Sequence, residues 1–173
     1  INPSNYKFGG SFSHYVPLPL PMTIGTLSAY MDANGDPSKV YDEELELIDA
    51  QNIERIIEGL PKPYIFGISI LTSQAARAYN LAKFLKTTYP DCIVIVGGFH
   101  ATALPEESLN TGAIDFVVRG EGERVLLELY EAIRGDRKDF SEIKGICFKD
   151  GDQVISTPDA ALIADLNTLP LFP

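Results

Sequence analysis

Three short apolar runs constrain this chain more than any other feature. They are Ile65-Phe66-Gly67-Ile68-Ser69-Ile70, Ile93-Val94-Ile95-Val96 and Ile114 to Val118. A strand with one wet face alternates apolar and polar residues. A continuous run rich in Ile, Val and Phe fits a strand covered on both faces, as in a parallel sheet. Helical periodicity fills the intervals. Leu45, Ile48, Ile53, Ile56, Ile57 and Leu60 share a stripe over 45–60, and Ala75, Ala78, Tyr79, Ala82 and Leu85 share one over 75–88, with Pro90 as a stop. A third stripe joins Val125, Leu126, Leu129, Tyr130 and Ile133 over 123–134, and Gly135 follows as the expected C-terminal cap. A further helix is expected from about Pro21 to Met31, since proline suits a first turn.

Strand and helix in alternation specify an α/β fold: a doubly wound, flavodoxin- or Rossmann-like, mostly parallel sheet with helices on both faces. Ile1-Asn2-Pro3 reads as the stub of a first strand and Lys39-Val40-Tyr41 as a second, which gives a flavodoxin-like order. After Gly135 the pattern changes. Asp150-Gly151 separates two alternating runs, 145–149 and 153–156, the signal of a C-terminal β-hairpin extension. That hairpin is either an edge addition or a bridge to a further domain. The organisation expected is an α/β domain over residues 1–140, then hairpin and linker over 141–173. Pro17 to Pro21 reads as a surface loop. The absent initial Met and the apolar, proline-rich tail suggest a chain trimmed from something longer.

Composition excludes more than it assigns. A length of 173 residues suffices for one sizeable core. A net charge of −10 argues against nucleic acid, whose binding needs clustered Lys and Arg. No run approaches a membrane span, and the first residues lack the pattern of a signal peptide. Cys92 and Cys147 are isolated within apolar segments and read as buried thiols of a reducing cytoplasm. There is no CxxC, no metal-spaced Cys/His cluster and no CxxxCxxC, so no metal ligand and no catalytic residue is assigned. GxGxxG after a first strand and GxxxxGK[ST] are absent too, which argues against a dinucleotide-dependent dehydrogenase or a P-loop nucleotidase.

Function in such a fold lives in the loops at the carboxyl ends of the strands. Three loops there are unusual: Ser69, Leu71, Thr72 and Ser73; Gly97, Gly98, Phe99 and His100; and Gly120, Glu121, Gly122 and Glu123. Hydroxyls at a strand end can donate to a buried ring or a phosphate. Paired glycines let a bulky ligand lie against backbone. Carboxylates at a helix start suit its dipole. Plainer readings stand beside each of these. Ser69 and Thr72 are equally good helix caps, Gly97-Gly98 an ordinary tight turn, and Glu121 and Glu123 simple dipole partners. His100 reads also as a hydrogen-bonded loop histidine, and His14 is given no role.

Taken together, these segments resemble a known family. Val94-Ile95-Val96-Gly97-Gly98-Phe99-His100-Ala101-Thr102-Ala103-Leu104-Pro105-Glu106-Glu107 is similar to the VxGGxHaTxxPee segment of B12-dependent radical-SAM proteins. Ile114 to Glu123 resembles their iDfvvrGEGE segment, and Ile143 to Ile146 with Ile163 to Pro170 resembles their linker into a radical-SAM barrel. The likeness covers nearly the whole chain, most loosely over the first forty residues. It is closest to the anaerobic magnesium-protoporphyrin IX monomethyl ester cyclase group and related methyltransferases. Ser69-Ile70-Leu71 and Gly97-Gly98, separated by 25 residues, also match the SxL…GG part of the older cobalamin-binding pattern DxHxxG…SxL…GG.

The resemblance implies that cobalamin is held by the twelve loop residues named above, with the Ser hydroxyl on its dimethylbenzimidazole tail and the glycines letting that tail thread into the sheet. It implies a downstream barrel carrying an iron–sulfur cluster and S-adenosylmethionine, a small-molecule substrate, and a cytoplasmic methyltransferase or oxidative cyclase of which this chain alone does no turnover. The DxHxxG element is missing, so either the cobalt has no histidine ligand from the protein or cobalamin binding has drifted. The alternative is a non-catalytic flavodoxin-like module that binds another nucleotide-tailed cofactor, such as FMN, or a protein partner.

Overall fold

The structure, a computed structural model, describes residues 1–4 and 21–170. Five strands form one sheet in the order β1 (Ile65–Ser69), β2 (Ile93–Gly97), β3 (Phe116–Val118), β4 (Ile146–Asp150) and β5 (Gln153–Ser156). The first three are parallel, while β4 and β5 add antiparallel at the β3 edge. The hairpin at Asp150-Gly151 is therefore an edge addition to this sheet, with Gly151 at the positive φ of 59° that such a turn needs.

The expected first two strands are short. The Ser69 N–H donates to the Ile1 carbonyl at 3.0 Å, and Asn2 makes a single parallel bridge to Asp42. The bridge is closed by Asn2 N to Tyr41 O and Glu43 N to Asn2 O, each 3.0 Å. Residues 39–41 thus form no full strand, yet the lateral order is the flavodoxin-like one, with the Asn2 segment between Asp42 and β1.

Six helices accompany the sheet among the described residues: α1 (Met22–Ala33), α2 (Ile53–Ile57), α3 (Ala75–Thr88), α4 (Phe99–Ala103), α5 (Pro105–Asn110) and α6 (Gly122–Arg134). They lie on both faces. Alternation along the strands sends Phe66, Ile68, Val94, Val96, Val117 and Cys147 towards α3 and α5. It sends Ile65, Ile95, Phe116, Val118 and Ile146 towards α6, on which α1 packs. Ala78, Leu81, Ala82 and Leu85 of α3 are buried, which seals the first face.

One expectation needs correction. The helix expected over 45–60 shrinks to α2, and Leu45 and Leu47 of its stripe region are exposed. Local side chains take the backbone groups a helix would use. Asp49 Oδ1 accepts from Gln51 N at 2.8 Å, Asn52 Nδ2 donates to Leu47 O at 2.7 Å, and Glu43 accepts from Ile48 N at 2.9 Å. Glu43 is itself fully buried and paired with Arg77 of α3, so this segment is pinned by an ion pair rather than coiled. Gly135 caps α6 as expected, at φ −77°, and the left-handed residue is Asp136 at φ 58°. Asp136 N donates to Ile133 O and Arg137 N to Ala132 O, so a Schellman turn closes the helix beyond the cap. His14 and all but the last residue of the Pro17–Pro21 loop lie outside the described residues.

Candidate cofactor site

The two faces of β1 carry different sequences, and a cleft results. On the α6 side β1 presents Ile65, Gly67 and Ser69, paired in register with Ile93, Ile95 and Gly97 of β2. A methyl group built at Gly67 would have nothing within 4 Å among the described residues. The missing side chain therefore leaves open space over the sheet, bounded on the other sides by α1 and α6. The cleft has a volume of about 390 Å³, within the range of small-molecule sites. Ile24 and Leu27 of α1, Ile95 and Val118 of the sheet, and Leu126 and Tyr130 of α6 line it.

Its inner end opens at the carboxyl edge, where all three expected loops meet. Ser69, Gly97, Gly98, Gly120, Gly122 and Glu123 line the opening. The Ser69 hydroxyl has no hydrogen-bond partner among the described residues. Leu71, Thr72, Ser73, Phe99, His100 and Glu121 stand outside the cleft. Leu71 and Phe99 are exposed at the same edge, Phe99 to 83%. Helix α6 runs back along the cleft from this edge, so Glu123 sits at the mouth. At 1.5 Å rise per residue, Leu126 and Tyr130 lie roughly 5 and 10 Å deeper.

The paired glycines do different work. Gly97 sits on the floor, where an added methyl would meet Val118 at ordinary distances of 3.4 and 3.7 Å. Gly98 has φ 92° and ψ −177°, a region open essentially only to glycine. A methyl there would lie 2.9 Å from both the N and O of Ile70. Its small size serves the close approach of α4 to the end of β1, where His100 N donates to Ile70 O at 3.1 Å.

His100 is a packing residue of that junction. It is buried, with Nε2 3.0 Å from the Tyr79 hydroxyl and Nδ1 3.4 Å from the Thr72 hydroxyl. Tyr79 also reaches Glu107 Oε1 at 3.1 Å and Ser108 Oγ at 3.2 Å. Burial pushes the Tyr79 phenol up from its ordinary value, with the Glu107 carboxylate acting the same way. The phenol therefore stays protonated and bridges α3 to α5. Glu121 is likewise structural, since Oε2 accepts from the Ile163 N–H at 2.5 Å. Beside it Arg119 pairs with Asp159 at 2.7 Å and bonds the Thr157 carbonyl. The third loop thus straps residues 157–163 across the edge. Gly120, at φ 73°, donates to Thr102 Oγ1 at 3.2 Å and ties the second loop to the third.

Gly67, Leu27 and Leu126 were not among the site residues expected from sequence. The signal for Gly67 was present, since an isolated glycine inside a strand run marks a missing side chain or a close approach. No group of three or more His, Cys, Asp or Glu suited to a metal occurs among the described residues, and no helix there is long and apolar enough to cross a membrane.

Residues 19–130 match the B12 binding domain family. The chain belongs to that family. This B12 binding domain is 32% identical over 138 residues to the anaerobic magnesium-protoporphyrin IX monomethyl ester cyclase of Synechocystis sp., which aligns 79% of this chain with 28% of that protein. It is 34% identical over 134 residues to an uncharacterised methyltransferase of Pyrococcus horikoshii, covering 77% of this chain and 29% of that one. The domain therefore spans under a third of the length of these relatives. Its fold is shared with the radical S-adenosylmethionine methyltransferase TsrM of Kitasatospora setae, solved with cobalamin and a [4Fe-4S] cluster bound. The TM-score is 0.70 at 18% identity, over 98% of this chain and 30% of that one.

Proposed function

We propose that this domain holds cobalamin for a radical-SAM domain of the same full-length chain, in an enzyme of the methyltransferase or oxidative cyclase type. The observation that carries the reading is the cleft beside Gly67: an apolar slot that opens at the sheet edge favoured for ligands in this fold. Its residues fit the nucleotide tail of cobalamin. Gly67 and Gly97 leave the floor bare of side chains for a flat base, and the Ser69 hydroxyl, with no hydrogen-bond partner among the described residues, can donate to a ring nitrogen.

Exposed Phe99 and Leu71 and the backbone at Gly120 and Gly122 would hold the corrin part of the cofactor. Thr72, Ser73, Gly98, His100, Glu121 and Glu123 complete the site by shaping the three loops. His100 faces Tyr79 rather than the edge, so it would support the loop that holds the cofactor. The cofactor supplies methyl transfer or radical-assisted oxidation. This chain binds it, fixes its orientation and keeps water from the tail. Residues 1–140 carry the cleft, and residues 141–173 lead towards the iron–sulfur and S-adenosylmethionine domain. The substrate is a small molecule, and the location is cytoplasmic.

The test is titration of the purified protein with hydroxocobalamin, followed by gel filtration and visible absorbance. Retained corrinoid with a base-off spectrum is the expected result. A protein that retains flavin instead, or one whose full-length form retains no corrinoid, would sink the reading.

A further inference from the structure

We infer that Glu121 and Arg119 are positioning residues: they tie the chain that leaves this domain to the loop that lines the cofactor site, so that the exit path towards the following domain is set from that loop. The inference rests on the cobalamin reading above and deepens it.

Residues 157–163 carry no helix or strand. Such a segment must satisfy its backbone groups through partners elsewhere or through water. Its first half is held to the start of β4. Thr157 Oγ1 donates to Ile146 O at 3.1 Å and accepts from Ile146 N at 3.0 Å, and Gly145 N donates to Pro158 O at 2.8 Å. Ala160 lies against Gly145, where an added methyl would come within 3.0 Å of the Ala160 Cβ. Arg119 serves the same half, pairing with Asp159 at 2.7 Å and donating from Nη2 to Thr157 O. The second half is held differently. Leu162 is exposed and Ile163 is buried. Among the described residues, the hydrogen bond that reaches this half from the body of the domain runs from Ile163 N to Glu121 Oε2, at 2.5 Å.

Glu121 makes this contact in place of a local one. It is the N-cap residue of α6, with φ −73° and ψ 122°, and its side chain makes no bond to the helix it precedes. A shorter Asp or Ser there would accept from the first turn. The longer carboxylate reaches across to the strap instead. The Arg119 guanidinium is committed to the strap as well: its Nε is buried with no partner among the described residues, a state that costs free energy. Both anchors rise from backbone of the site. Gly120 and Gly122, on either side of Glu121, line the opening of the cleft. Gly120 N donates to Thr102 Oγ1 at 3.2 Å, which joins the second loop to the third. A cofactor that orders this loop therefore orders the strap, and by reciprocity a docked strap favours the cofactor.

The experiment follows hydrogen exchange in the full-length protein with and without saturating hydroxocobalamin, with occupancy read from the visible spectrum. Bound corrinoid is expected to slow exchange at the Ile163 amide about five- to a hundredfold in the parent. Glu121→Ala is expected to abolish that response while the loops at Ser69 and Gly97 still gain protection. General loosening of the fold would instead quicken exchange with and without corrinoid alike and leave the ratio unchanged. Glu121→Gln, whose amide oxygen can accept from the same N–H, is expected to restore the response, and Arg119→Met to weaken it. In small-angle X-ray scattering at equal occupancy, the Glu121→Ala protein is expected to have a larger radius of gyration than the Glu121→Gln protein. An Ile163 amide that ignores bound corrinoid, Glu121→Ala or Arg119→Met proteins that respond like the parent, a Glu121→Gln protein that behaves like Glu121→Ala, or equal radii of gyration overturns the inference and leaves cobalamin binding standing. A full-length protein that binds no corrinoid overturns the cobalamin reading itself and this inference with it.

Discussion

The two faces of β1 are built by the same five residues and end in opposite states. Towards α3, Phe66 and Ile68 interlock with Ala78, Leu81, Ala82 and Leu85, and the face is sealed. Towards α6, Ile65, Gly67 and Ser69 leave a slot. One residue of offset along a strand separates structure from site, because successive side chains leave a strand on opposite faces. The same contrast recurs between Gly67 within β1 and Gly98, the residue after β2. Gly98 is demanded by backbone already in place, whereas no described residue lies within 4 Å of a methyl built at Gly67. A glycine explained by its neighbours speaks to folding, and one left unexplained speaks to a ligand.

The contrast can be broken most severely at Gly98. Gly98→Val combines a glycine-only backbone region with a clash on Ile70, and should destabilise the fold by about 4 kcal/mol in urea unfolding. A loss under about 1 kcal/mol would mean that α4 moves freely away from β1. On the sealed face, Leu81→Ala empties a fully buried site and should cost about 3 kcal/mol by the same measurement, with corrinoid affinity per folded molecule unchanged.

At the edge, Glu121→Ala removes the acceptor for the Ile163 N–H and should cost about 1 kcal/mol. Hydrogen exchange over residues 157–163 should quicken in that variant while exchange in β2 does not. Gly67→Leu should leave stability within about 1 kcal/mol of the parent, since its side chain enters open space. A large loss of stability there would show that the slot is a packing defect the protein cannot fill.

The smallest effect is a titration on the sealed side. Burial raises the Cys92 thiol above its ordinary value of 9.0, with Asp115 and Asp91 adding to the shift and Lys86 opposing it. The folded state thus holds its proton to higher pH than the unfolded state. Stability from this group is complete below about pH 9 and declines as pH rises from there towards the folded value. Unfolding free energy measured between about pH 8 and pH 10 should fall slightly with pH, and Cys92→Ala should remove that part of the slope.

Much of the fold was legible because its signals are local. The runs at 65–70 and 93–96 became β1 and β2, the stripe at 75–88 became α3, and Asp150-Gly151 made its hairpin. The run at 114–118 kept only its last three residues as strand. The stripe at 45–60 misled, because the periodicity of apolar residues says nothing about Asp49, Asn52 and Glu43 capturing the backbone between them.

The sequence by itself determined the class of fold, the edge on which the three loops gather and the family, since apolar period, glycine position and motif order are properties of the linear chain. Only the tertiary structure decided which loop residues face the cleft. His100 turns to Tyr79, Glu121 reaches Ile163, Phe99 stays exposed, and Gly67, in the middle of an ordinary strand run, opens the slot. The reason is that a side chain's surroundings come from segments distant in the chain. The walls opposite Gly67 are Leu27, forty residues before it, and Leu126, fifty-nine residues after it, and no local pattern reports that they stop short of touching it.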